Sequence, residues 1–233
     1  MDALERLRRD WDGGDLDHRV ELLGACLEAG ALSPSRLRLA AFLGDESAAF
    51  VADCERAGGP PVPLVAAEQI LRGPWRDRET RTRIAVASAR AVAPGWREAY
   101  PDDPRVPEAL DALEAFVCGL EATPPSSAPA HAAVREHRLQ RGPSDRWDDI
   151  WRSTRLGAPT AFAIDCLSDP ERPPLHEDHA LIAFTRASDG MAYLPSPDPR
   201  PGQFRLYDLV ARELLPWALG LGDPLRERVA GRR

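Results

Sequence analysis

Residues 80–119, TRTRIAVASARAVAPGWREAYPDDPRVPEALDALEAFVCG, set out a helix, a corner and a second helix with almost no chemistry between them. Val106, Leu110, Leu113 and Val117 follow at offsets of four, three and four residues, which lines them along one stripe of a helical surface. Such a stripe is made for burial. Asp102 and Asp103 stand before Pro104 and Pro107, so carboxylates lie where unpaired amides need acceptors and prolines lie where a missing N–H costs little. The second helix is expected to start near Pro107. Upstream, Ile84, Ala87, Ala91 and Trp96 continue a helical stripe, and the Pro94–Gly95 pair predicts a kink or a short second helix beyond it.

The same reading extends towards the N-terminus. Asp2–Trp11 and Asp15–Ala29 form two helical patterns separated by Gly13 and Gly14, with Leu16, Val20, Leu23 and Leu27 at the same four, three, four spacing. Gly30 is a stop signal. Ser33 before Pro34 is a cap followed by a good first helical position, Gly44 ends that helix, and Asp45 caps the next one through Ala57. The PPVP run at 60–63 breaks the chain before LVAAEQILRG supplies another short helix. ELLGACLEAG and FVADCERAGG are related by a shift of 28 residues that superposes Cys26 on Cys54. This suggests stacked helical hairpins, although the period does not persist.

EATPPSSAPA, residues 121–130, has no periodic apolar positions and reads as a linker or exposed crossover. The expected organisation is a helical bundle or hairpin stack over 1–120, a linker or crossover at 121–131, and a smaller helical domain over 132–233 with an irregular Pro-rich segment. Within that last part, helices are expected over His131–Gln140, from a cap at Ser144 through Trp147 and Trp151, over Thr160–Leu167 and over Asp178–Ala187. MAYLP suggests a short strand, SPDPRPGQ an exposed turn-rich stretch, and Leu206, Val210, Leu214 and Trp217 a final helix broken or kinked near Pro216. The fold class is therefore mainly α.

With 233 residues, a sizeable core is affordable without oligomerisation. A net charge of -7 argues against binding to a nucleic-acid backbone, and no apolar run is long enough for a bilayer span. The charged N-terminus lacks a signal-peptide pattern, which points to the cytoplasm. All 30 basic residues are Arg, a compositional bias with no functional implication. Cys26, Cys54, Cys118 and Cys166 are far apart, have no metal-ligand spacing and sit in apolar contexts, as buried thiols do.

Candidate chemistry is sparse. His176, Glu177, Asp178 and His179 form the one dense cluster of metal-type ligands. Acids before a helix are more simply caps and dipole partners, so the expectation is no metal and no cofactor, with a small metal-dependent enzyme as the alternative. The pairs Asp102–Asp103 and Asp148–Asp149 also fall at predicted helix starts, where capping outweighs acid–base work. There is no GxSxG or Walker pattern, and Gly220–Gly222 follows no strand. Arg76, Arg78, Arg81 and Arg83 alternate with Asp77 and Glu79 and read as a solvated, compensated face.

Six Trp residues, against three Tyr and six Phe, suit core packing or partner anchoring, since Trp and Arg are enriched at binding hot spots. The 80–119 run, with its aromatic, its YPDDPRVP turn and its Ala-rich helix, resembles the helical domains of bacterial immunity proteins of the Imm5-like type. That resemblance implies an all-helical protein that binds and neutralises a toxin and inherits no catalytic residue. The expected function is non-catalytic binding of another protein, a toxin or effector, as an immunity or accessory factor, with a structural subunit as a further alternative. Trp96, Arg97, Tyr100, Arg105, Trp147 and Trp151 are the candidate partner-binding residues.

Overall fold

The computed structural model describes residues 2–52, 77–139, 147–169 and 177–232, and at 147–150 the backbone alone. Among these residues there are eleven α-helices and no strand: α1 (Ala3–Asp10), α2 (Leu16–Glu28), α3 (Pro34–Phe42), α4 (Glu46–Val51), α5 (Arg78–Ala99), α6 (Arg105–Val117), α7 (Ala128–Leu139), α8 (Trp147–Asp165), α9 (His179–Gly190), α10 (Gly202–Leu219) and α11 (Pro224–Ala230). The helix ends follow the capping signals. Ser33 accepts from the Arg36 amide at 3.3 Å and Asp45 from the Ala48 amide at 2.8 Å. Gly119, at φ 73°, closes α6 while its amide and that of Leu120 reach back to the carbonyls of Phe116 and Ala115.

The chain divides into two units: residues 1–77 with 211–228, and residues 78–210 with 229–233. The expected boundary at 121–131 therefore falls inside the second unit. There the stretch is an exposed crossover, after which α7 packs on α6 and α8 rather than founding a separate domain.

In the first unit α1 packs on α2, and both α2 and α3 pack on α4. Leu7, Leu23, Leu37 and Leu39 are sealed in its core, together with Leu214 and Trp217 from the later segment. The expected stripe on α2 is rotated: Leu22, Leu23 and Cys26 are buried, whereas Leu16 is exposed. The 28-residue correspondence cannot be followed, because Cys54, the PPVP run and LVAAEQILRG lie outside the described residues.

In the second unit α5 packs against α6, α8 and α9. From Thr80 to Ala89 every residue of α5 is buried, the signature of a helix surrounded by others. Val106, Leu110 and Leu113 on α6 are fully buried, as their spacing predicts. At three prolines where a break is one of the expectations, the helix continues. Pro94 and Pro216 lie inside α5 and α10, and α8 runs through Pro159, joining two segments read as separate helices. A proline costs roughly 3 kcal/mol within a helix, a sum that burial of a few side chains on either side offsets. At Pro94 the flanking Val92, Ala93, Gly95 and Trp96 are all buried while the proline itself is exposed. The expected strand is absent too: Met191–Tyr193 forms a 3₁₀ turn directly after α9.

Candidate functional site

The α5–α6 corner gathers most of the singled-out residues. Trp96 is fully buried, and its indole N–H donates to the Asp103 carbonyl at 3.1 Å. Gly157 of α8 lies flat against the ring: a Cβ there would come within 2.5 Å of Trp96 Cζ3. Tyr100 is buried as well, with its ring centroid 4.5 Å from that of Trp96 and 4.0 Å from that of His137 on α7. Trp96 and Tyr100 were expected at a binding surface; instead they are the floor beneath the corner, because the helix stripe that carries Trp96 faces α8.

Above that floor Asp103 is the organising group. Its carboxylate accepts from the Arg105 amide at 3.1 Å, from Arg105 Nε at 3.0 Å and Nη2 at 2.8 Å, and pairs with His137 Nε2 at 2.8 Å. The Arg105 guanidinium, then the His137 contact and the Arg105 amide, hold its pKa down at about 2. A carboxylate so held is a poor proton acceptor near neutral pH, so its role is to lock the turn. The helix start differs from expectation by two residues: Pro104 is the cap residue without a side-chain bond, and Asp103 serves the first amide from one position earlier. Arg105 also reaches Glu136 of α7 at 2.7 Å. Arg97, Glu98, Pro101, Asp102 and Pro104 remain exposed, beside a recess of about 580 Å³ lined by Tyr100, Asp103, Arg105 and His137.

The second expected contact surface is described only in part. Trp147 opens α8, but its side chain, like the Asp148–Asp149 pair and the Ser144 cap, lies outside the described residues. Trp151 is half-buried, with the Arg138 guanidinium 5.1 Å from its ring centroid.

Of the acidic and histidine cluster, His176 lies outside the described residues. Asp178 caps α9 as expected, accepting from the amides of Ala180 at 3.1 Å and Leu181 at 3.2 Å. His179 is committed elsewhere: its Nδ1 and its amide both bond Asp169. Among the described residues no group of three or more His, Cys, Asp or Glu is placed to hold a metal.

This cluster exposes a feature the sequence reading missed. Arg81 does not lie on a solvated face: it is 1% exposed, and its Nη2 binds Asp169 at 2.6 Å and Asp178 at 3.2 Å. Arg83 is buried as well, while Arg78 and Glu79 are exposed; Arg76 lies outside the described residues. The missed signal is spacing: Arg81, Ala85, Ser88 and Val92 fall on one helical stripe, all of it buried. Cys166 sits close by, its thiol pushed up to about 11 chiefly by burial, as suits an inert core cysteine. Cys26 and Cys118 are likewise buried, and Cys54 lies outside the described residues.

No protein-family model, curated protein or solved structure matches the chain. Among the described residues no helix is long and apolar enough to cross a membrane.

Proposed function

We propose that the protein is a non-catalytic binding factor that acts by covering a functional surface of another protein, with the α5–α6 corner as its contact. The observation that carries this reading is the corner's construction. Exposed Arg97, Pro101, Asp102 and Pro104 ride on a turn fixed from beneath by Asp103, Trp96 and Tyr100. A turn already ordered before association loses less conformational entropy on binding, which favours affinity from a small patch. Arg97 and half-exposed Arg105 are its hot-spot candidates, and Trp151 with Arg138 supplies a second aromatic and cationic patch. The resemblance of residues 80–119 to immunity-protein domains makes a toxin the first partner to try.

The test is co-purification from the native host, quantified by mass spectrometry, for the wild type and for Arg97→Glu combined with Asp102→Arg. Both changes are on exposed side chains. A partner recovered in fixed stoichiometry by the wild type and lost by the folded double variant supports the corner. Equal recovery by both proteins rejects it.

A further inference from the structure

A second concavity, of about 610 Å³, opens between α7, α8 and α9. Val134, Ala158 and Phe162 form apolar walls, and Leu139, 74% exposed, stands among its lining residues. Arg135 and Arg138 from α7 and Arg186 from α9 also line it, with no Asp or Glu among the lining residues. Several arginines elsewhere in this unit are paired: Arg90 with Asp111 and Glu114, Arg200 with Asp198 and Asp208, Arg232 with Asp111 and Glu114. By contrast, Arg135, Arg138 and Arg186 make no ion pair among the described residues. Arg138 lies over Trp151, and the carboxylate that feels Arg135 is Glu136, which Arg105 already holds. His131, a further lining residue, is bonded to Asp165 at 2.8 Å.

One more polar group lines this pocket. Thr154 Oγ1 is buried and has no hydrogen-bond partner among the described residues. Buried hydroxyls rarely go unpaired, and an orphan in a pocket wall is an open hydrogen-bonding position for whatever fills the pocket. The volume falls within the range of small-molecule sites, which are mostly apolar with a few polar groups that orient the ligand.

We infer that this pocket binds a small amphipathic carboxylate, its anionic head among Arg135, Arg138, Arg186 and the Thr154 hydroxyl and its hydrocarbon body against Val134, Ala158 and Phe162. Three guanidiniums with no carboxylate partner among the described residues converge on one pocket and favour an anion there, and the apolar wall favours an anion that carries a hydrocarbon body, which inorganic phosphate lacks. The inference stands apart from the corner and does not depend on it.

The experiment is displacement of anilinonaphthalenesulfonate fluorescence from the purified full-length protein by decanoate, with decan-1-ol and decylammonium as neutral and cationic counterparts. Decanoate is expected to displace the dye at concentrations at least roughly tenfold below those of the other two, since a charge-assisted hydrogen bond is typically worth that factor or more. Arg135→Glu combined with Arg186→Glu should weaken decanoate by more than about tenfold with an unchanged circular dichroism spectrum. Thr154→Val, which keeps the side-chain shape, should weaken it by a smaller factor. Equal potency of the three ten-carbon probes overturns the inference, and so does a decanoate affinity that survives charge reversal.

Discussion

Arg81 and Arg105 use the same chemistry in opposite surroundings. Each guanidinium bonds a pair of carboxylates, Asp169 and Asp178 for Arg81, Asp103 and Glu136 for Arg105, but Arg81 is 1% exposed and Arg105 34%. The sealed set holds helices together: Arg81 lies in the first turns of α5, Asp178 caps α9, and Asp169 follows the 3₁₀ turn after α8. The open set shapes a turn and leaves its outer face to solvent. In the first case solvent cannot replace a lost partner; in the second it can. Burial, more than the number of bonds, therefore decides what each arginine is worth.

The largest expected effect follows from that difference. Arg81→Leu leaves Asp169 and Asp178, 3% and 0% exposed, without their shared cation. Removing one partner from a buried ion pair typically costs about 3–5 kcal/mol, because the remaining charge keeps its desolvation penalty. Urea unfolding of the variant should show a loss of that size. A loss near that of an exposed pair would remove the distinction between the two sites.

The Asp103 lock gives a smaller effect with a pH signature. Its carboxyl is held at about 2 against an ordinary value of 3.8, chiefly by Arg105. The folded state thus binds fewer protons than the unfolded state between those values, and stability rises with pH through that window. The contribution, about 2 kcal/mol, is fully present above roughly pH 5 and is lost as the pH falls towards 2. Asp103→Asn should be less stable than the wild type by about that amount at pH 7, with the two curves converging as the pH falls through about 2. A constant offset down to pH 2 would mean that packing around Trp96 and Tyr100, not charge, secures the corner.

How far these sites are legible in the sequence depends on the reach of each signal. Ser33, Asp45, Asp178 and Gly119 act on amides or carbonyls within a few residues, so their roles as caps and stops can be read directly. The buried stripe Val106–Leu110–Leu113 is local in the same sense. Arg81 is different: its partners lie 88 and 97 residues away, and an alternating run of charges looks solvated until those partners are known. The burial of Trp96 is hidden from the sequence for a related reason. Its proximity to an exposed turn is visible in the sequence, whereas the glycine face of α8 that accepts its ring is not. Pro94, Pro159 and Pro216 show local breaking signals overridden by tertiary packing, and the two-unit division pairs the chain's start with residues 211–228, which no compositional shift announces.

The smallest expected effect tests the open end of the comparison. Glu136 is 49% exposed, and its bond to Arg105 at 2.7 Å is the outermost contact of the corner. Water can solvate either group once the contact is lost, and dissolved ions screen what attraction remains. Glu136→Gln should therefore leave the urea midpoint unchanged within error, and any residual shift should vanish in about 0.5 M salt. The informative quantity is the coupling in a double-mutant cycle, Arg105→Ala with Glu136→Gln, set beside Arg81→Leu with Asp169→Asn. Near-zero coupling at the corner with strong coupling at the core would place the worth of each arginine in its burial. A salt-resistant coupling between Arg105 and Glu136 would instead make Glu136 part of the Asp103 lock, extending the ordered corner onto α7.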